Sequence, residues 1–213
     1  KFWATSIAIA DGIEDESDYT AAFMIISENL AIGGHYENAL AAADKINNSF
    51  YKAGSMINTA NLLIIEEKFG LADSTLQKAL KTCENIDNLL DKASAMSAIS
   101  ASYKLREDEV MSKEIDDQKE KLMSEARKNF NLADLEPDRI SEIIEDVELT
   151  IEAAMIHADI SEFTQALNLV LNYDSAAAAA AAISYIALCA DIVEFETTDE
   201  LVEALDKIQQ KQF

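Results

Sequence analysis

The chain has 213 residues, and its 40 acidic residues against 17 Lys and Arg give a formal charge of −23 with neutral histidines. We expect no nucleic acid partner and no docking on anionic lipid, because phosphate groups require clustered Lys and Arg. Hydrophobic residues make up 49% of the chain, while only 5 Gly and 1 Pro interrupt it. This composition predicts a folded all-α protein.

A repeated pattern of small and large residues begins near the N-terminus. Ser6-Ile7-x5-Ile13 leads, with one extra residue in the connection, into a segment with Ala21, Met24, Ile25, Asn29 and Leu30. We align that segment with Ala53-x2-Met56-Ile57-x3-Asn61-Leu62. The alignment predicts two equivalent helices with Met24 and Met56 in the core.

A fuller form of the repeat follows. Ala39-Leu40-x5-Ile46-Asn47-x5-Ala53 recurs twice with the same spacing, as Ala79-Leu80-x5-Ile86-Asp87-x5-Ala93 and Ala166-Leu167-x5-Tyr173-Asp174-x5-Ala180. Short polar residues after the second apolar position predict a turn before the next helix, because their side chains bond the local backbone. Capping patterns at Ser74-x-x-Gln77 and Thr197-x-x-Glu200 predict helix starts.

Two segments complete the pattern. Glu107–Phe130 has apolar residues at helical spacing but no Ala-Leu pair, so we interpret it as a diverged copy. Pro137 suits the first turn of the next helix, and Ile140–Ile156 carries one apolar stripe. We predict one repeat domain over residues 1–213, with units starting near residues 6, 39, 79, 122, 163 and 199.

The segment Gly34-His35-Tyr36-Glu37-Asn38-Ala39-Leu40 resembles the Gly-x-Tyr-x-x-Ala motif of the tetratricopeptide-repeat-like α-solenoids. Other units keep a large residue three positions before Ala, as in Leu76/Ala79, Phe163/Ala166 and Leu201/Ala204, and no unit has the family's Trp-x2-Leu-Gly signature. The resemblance implies a right-handed α-solenoid of about five helix-turn-helix repeats with a C-terminal capping helix. It also implies a concave face that binds a peptide or protein segment.

The residues that usually carry catalysis or metal binding are scarce. His35 and His157 lack metal-ligand spacing, and we expect ordinary turn and helix-end roles for them. Cys83 and Cys189 lack CxxC spacing and predict buried free thiols. No phosphate-binding loop or nucleophile elbow occurs, so we predict no catalytic residue, no cofactor and no metal site.

Carboxylate clusters are the one pattern that resembles a metal site. They are Glu14-Asp15-Glu16-x-Asp18, Asp116-Asp117-x-x-Glu120 and Asp199-Glu200. None has the glycine and distal glutamate of a calcium-binding loop, and Lys119 and Lys121 flank the second cluster. The pattern favours solvated helix faces, and an acidic metal-binding protein or all-α enzyme stays the alternative.

Charge is distributed unevenly along the chain. Residues 140–206 contain 15 acidic residues and no Lys or Arg. Two interpretations stay open: a generally soluble acidic surface, or steering of a basic protein or peptide partner. No apolar run is long enough to span a bilayer, so we expect no membrane insertion. The chain begins with Lys1, and both a cytoplasmic and an exported location stay open.

The candidate binding groove follows from the repeat phase. Asn58, Asn61 and Tyr185, with Asn29 as their neighbour, lie beside the predicted core stripe of the first helix of each hairpin. Side-chain amides can bind an extended peptide because they both donate and accept hydrogen bonds. We therefore expect a non-enzymatic interaction scaffold or adaptor. The other interpretations are that these residues pack between repeats and that the chain is a structural spacer of a larger protein.

Overall fold

The all-α expectation is confirmed by a computed structural model, which describes residues 1–129, 139–159, 161–193, 195 and 198–211. Over these residues the chain forms helices and no strand. The helices are α1 (Phe2–Ala10), α2 (Glu16–Ile32), α3 (Tyr36–Asp44), α4 (Ser49–Ile65), α5 (Phe69–Cys83), α6 (Leu89–Leu105), α7 (Glu109–Asn129), α8 (Arg139–Asp159), α9 (Phe163–Val170), α10 (Ala176–Ile192) and α11 (Asp199–Gln210). The predicted role of Pro137 lies outside the described residues.

Four helices, α2, α4, α6 and α10, share a length of 17 residues. Short polar side chains cap three of their N-termini: Asp15 accepts from the backbone of Ser17 and Asp18, Asn48 accepts from Phe50 and Tyr51, and Ser175 accepts from Ala178. Asn88 accepts from the backbone of Asp91 at the start of α6. The turns predicted at Asn47-Asn48, Asp87-Asn88 and Asp174-Ser175 are therefore confirmed.

One tight turn recurs at the C-terminal ends of α2, α4, α6 and α8. Beyond α2, the backbone N–H of His35 donates to the Leu30 carbonyl across Gly34, whose φ is +78°. The backbone N–H groups of Lys68, Asp108 and Glu162 donate in the same way to the carbonyls of Leu63, Tyr103 and His157, respectively. The residue before each donor is Glu67, Glu107 or Ser161, and its φ lies between +59° and +63°. The N–H of Phe195 donates to Ala190 in the same way. At Gly34, Glu67, Glu107 and Ser161 this is the Schellman type of helix end, in which a left-handed residue reverses the chain.

The cap predicted at Ser74 is wrong. Ser74 lies inside α5, which begins at Phe69, and its hydroxyl donates to the Leu71 carbonyl one turn back. A serine inside a helix can bond the preceding turn in this way, so its presence alone does not mark a start. At α11 the cap is Thr198, which accepts from the backbone of Leu201, and Thr197 lies outside the described residues.

The chain divides into two compact units, residues 1–42 with 138–213 and residues 43–137. In the second unit α4 packs on α5 and α6, and α6 packs on α7. Met56, Leu76 and Tyr103 are among its fully buried side chains.

In the first unit, α10 packs against α1, α2, α8 and α9. Alanines 177–182 of α10 are all buried. Their methyl side chains are small enough for the surrounding helices to pack closely against α10. The Ser6 hydroxyl on α1 donates to the Ala180 carbonyl at 2.5 Å. The first two helices thus contact helices from the last third of the chain, in addition to the neighbour contacts that a linear repeat array predicts.

Among the described residues, no helix combines the length and the apolarity that crossing a bilayer requires.

Candidate functional site

Three helices of the first unit, α2, α8 and α10, enclose a cleft of about 680 Å³. Its walls combine four large apolar side chains with three glutamates, an asparagine and a tyrosine. Helix α2 contributes Ile25, Glu28, Asn29 and Ile32, helix α8 contributes Glu148, Ile151, Glu152 and Met155, and helix α10 contributes Tyr185. Clefts of this volume hold a small molecule or a few side chains of a partner.

Two of the four predicted groove residues, Asn29 and Tyr185, line this cleft. Asn29 is buried, and its Nδ2 donates to the Ser184 hydroxyl at 2.7 Å. The Tyr185 hydroxyl donates to Asp159 Oδ1 at 2.6 Å. This hydrogen bond, together with burial, raises the pKa of Tyr185. Both polar groups are therefore engaged inside the protein, while the apolar part of Tyr185 forms cleft wall.

The other two, Asn58 and Asn61, lie on α4 in the second unit. Asn58 is exposed, whereas the Oδ1 atom of Asn61 is buried and accepts no hydrogen bond within the described part of the chain. A buried acceptor of this kind is costly unless a donor reaches it. Their role as peptide contacts stays a prediction.

The predicted alignment of the first unit is wrong by one residue. Helix α2 follows Asp15 and α4 follows Asn48, so equivalent positions are 33 residues apart rather than 32. Phe23, fully buried, then takes the core position of Met56, while Met24 is only partly buried. Asn61 corresponds to Glu28, not to Asn29. The alignment assumed one extra residue in the connection before α2, and the structure has none. The assumption shifted every assigned position of α2 by one residue, which is about 100° around the helix axis.

Glu28, Glu148 and Glu152 are the functional candidates that the sequence analysis missed. Although Glu28 reaches solvent, the surrounding helix surfaces and the nearby Glu148 carboxylate raise its pKa. No Lys or Arg is among the described residues that line the cleft. The absence of cations from residues 140–206 was the available signal, but sequence spacing cannot show that α2 lies beside α8.

The net charge differs strongly between the two units. Residues 1–42 and 138–213 carry 23 acidic residues against 4 Lys and Arg, a net charge of −19, while residues 43–137 carry 17 against 13, a net charge of −4. Three of the four cations in the first unit are engaged away from the cleft: Lys1 pairs with Asp206, Lys207 pairs with Glu203, and Lys211 donates to the carbonyls of Leu171 and Tyr173. The unit that contains the cleft therefore has a large excess of negative charge.

The carboxylate clusters singled out in the sequence have local structural roles. Asp15 caps α2, and Asp199 and Glu200 lie in the first turn of α11, where the helix dipole favours negative charge. Asp116 accepts from Lys104 at 2.8 Å and from Lys119 at 2.9 Å, and these lysines hold its pKa below the usual range. Over the described residues, no three His, Cys, Asp or Glu side chains are arranged to hold a metal ion.

The histidines occupy the turn and helix end that the sequence predicted, and each contacts a carboxylate. His35 Nε2 lies 2.7 Å from Asp191 Oδ2, and His157 Nδ1 lies 2.7 Å from Glu162 Oε2. The Trp3 indole N–H donates to the same Asp191 oxygen at 2.9 Å. Asp191 thus connects α1 and the turn after α2 to α10.

The thiols are both free, and only Cys83 is fully buried, so the prediction of two buried thiols is correct for one of them. Burial raises the pKa of Cys83 to about 11. Burial and the Asp159 carboxylate raise the pKa of Cys189 to about 11. Little of either thiol is therefore thiolate, the nucleophilic form, at neutral pH.

No protein-family model, curated protein or solved structure matches the chain. The resemblance to tetratricopeptide-like repeats therefore rests on the residues themselves.

Proposed function

We propose that this protein is a non-enzymatic interaction scaffold, a right-handed array of about five diverged αα-hairpin repeats that binds a segment of a partner protein. The site is the cleft between α2, α8 and α10. Its repeat character is supported by the common length of α2, α4, α6 and α10 and by the left-handed residue that follows α2, α4, α6 and α8.

The observation that carries the proposal is the cleft itself. Ile25, Ile32 and Met155 give an open, largely apolar surface on the first helices of their hairpins, and the fourth apolar lining residue, Ile151, is only 3% exposed. Equivalent helices form the binding face of α-solenoids. Apolar surface contributes affinity in proportion to the area it buries against a partner.

A pair of equivalent residues allows a direct test. Ile32 ends α2 and is 50% exposed in the cleft, whereas Ile65 ends α4 and is 68% exposed outside it. Ile32→Asp and Ile65→Asp place the same charge at the same repeat position, so the two variants differ in whether the cleft is altered. Immobilised wild type and both variants would be used to capture proteins from source-cell lysate, with quantification by mass spectrometry.

We expect at least one protein that wild type and Ile65→Asp retain and that Ile32→Asp loses. Thermal melts of the three proteins control for folding. Identical capture profiles for Ile32→Asp and Ile65→Asp would remove the cleft from the proposal.

A further inference from the structure

The cleft between α2, α8 and α10 joins two properties that together restrict its occupant. Four large apolar side chains form its walls, and Glu28, Glu148 and Glu152 lie among them with no cation in the described part of the lining. An uncharged apolar segment would remove water from these carboxylates without replacing their hydration, which is costly. An acidic segment would add repulsion to the unit's net charge of −19.

A metal ion is a poor occupant of this cleft. Over the described residues, no group of three potential ligands is close enough to hold one, and the three glutamates are distributed over α2 and α8. The suitable cation is therefore one that carries its own apolar stem. Arginine and lysine side chains fit, because their methylene groups pack on apolar surface while the charged head reaches a carboxylate.

We propose that the cleft binds a partner segment in which arginine or lysine alternates with apolar residues. This inference rests on the proposed function and specifies its partner. The cationic heads pair with Glu28, Glu148 and Glu152, while the stems and apolar residues cover the walls formed by Ile25 and Ile32. Arginine is favoured over lysine, since its planar guanidinium can donate two parallel hydrogen bonds to one carboxylate.

The unit's other acidic residues steer such a segment but do not distinguish the cleft from the rest of the surface. The test must therefore separate local pairing from general attraction. Glu28→Gln/Glu148→Gln/Glu152→Gln removes three charges from the cleft. Glu14→Gln/Glu37→Gln/Glu200→Gln removes three exposed charges elsewhere in the same unit, and both triple variants change the net charge equally.

The probe is a fluorescein-labelled 12-residue peptide in which arginines alternate with leucines. A matched peptide has glutamines in place of the arginines. Fluorescence anisotropy gives the affinity of each peptide for wild type, both triple variants and Ile32→Asp, in low-salt buffer and in 0.5 M NaCl, which screens charge beyond a few ångströms.

We expect the cleft triple variant to weaken binding of the arginine peptide by about tenfold or more, and the matched triple variant by less than about threefold. Equal weakening by the two triple variants would overturn the inference. If the glutamine peptide binds wild type as tightly as the arginine peptide and is lost in Ile32→Asp, the proposed function stands and the basic partner is wrong. If neither peptide binds wild type, the basic partner is also wrong, and the lysate capture then decides the proposed function by itself.

Discussion

Asn29 Nδ2 on α2 donates a 2.7 Å hydrogen bond to Ser184 Oγ on α10, and the same hydroxyl donates to the Ala181 carbonyl at 2.7 Å. Asn29 is 7% exposed and Ser184 is fully buried. The bond therefore fixes the relative position of two walls of the cleft in a place that water reaches poorly. A buried side-chain amide that finds a partner in this way specifies how two helices pack.

Ser184→Ala should lower the free energy of unfolding by about 1–3 kcal/mol, because it leaves the Asn29 amide buried without its acceptor. Urea unfolding followed by circular dichroism would measure the change. Asn58→Ala is the matched surface control, and we expect it to stay within about 0.5 kcal/mol of wild type because Asn58 is exposed. Similar losses in both variants would show that the buried bond adds nothing.

The left-handed turns predict opposite effects of glycine at different positions. Gly34 has φ of +78° with no atom within 4 Å of an added Cβ, so Gly34→Ala meets only backbone strain and should destabilise by about 1 kcal/mol. Glu67 has φ of +59°, and Glu67→Gly should stabilise by about 0.5–1 kcal/mol by relieving the same strain.

Glu84→Gly is the control for this pair, since Glu84 has φ of −58° at the end of α5 and gains nothing from glycine. Urea unfolding of the three variants should give a loss for Gly34→Ala, a gain for Glu67→Gly and no gain for Glu84→Gly. A loss of stability in Glu67→Gly would mean that the side chain at this turn contributes more than the backbone strain costs.

Glu28 predicts a pH-dependent effect in the cleft. Burial and Glu148 raise its pKa, so the ionised form is disfavoured in the folded protein. At pH 7 the carboxylate is therefore a cost to folding, and that cost disappears as the pH falls below the ordinary value of 4.5, where Glu28 is protonated in both states. Glu28→Gln should raise Tm at pH 7, and the gain should shrink towards pH 4.

Glu14→Gln is the matched control, because it removes one charge from an exposed position in a connecting segment. Differential scanning fluorimetry from pH 4 to pH 8 would compare both variants with wild type. If Glu14→Gln raises Tm as much as Glu28→Gln, the effect is general charge reduction and not the environment of the cleft.

The sequence predicted the helices and turns because their signals are local. Ala39, Ala79 and Ala166 are all buried, as a small residue at a helix contact should be. The left-handed Glu67, Glu107 and Ser161 gave no signal, since only the glycine at position 34 marks that conformation in sequence. Sequence spacing could not predict the cleft, because its lining residues lie on α2, α8 and α10, and more than 100 residues separate the end of α2 from the start of α8.

Asp191 offers a specific optical test of how α1 is held. Its Oδ2 accepts from Trp3 Nε1 at 2.9 Å and lies 2.7 Å from His35 Nε2. Trp3 is the only tryptophan in the chain, so selectively excited tryptophan emission reports on the surroundings of its indole, which include Asp191 and the ring of His35. Asp191→Ala removes the acceptor of the indole, and we expect the emission maximum to move to longer wavelength, with a loss of about 1 kcal/mol in unfolding free energy.

Glu162→Ala is the matched control for this experiment, because it breaks the other contact between a histidine and a carboxylate, His157 Nδ1 to Glu162 Oε2 at 2.7 Å. It should leave the emission of Trp3 unchanged. An identical spectrum in Asp191→Ala and wild type would show that Asp191 does not hold the indole. An equal shift in Glu162→Ala would trace the change to a general loosening of the unit, since that variant leaves both partners of Asp191 intact.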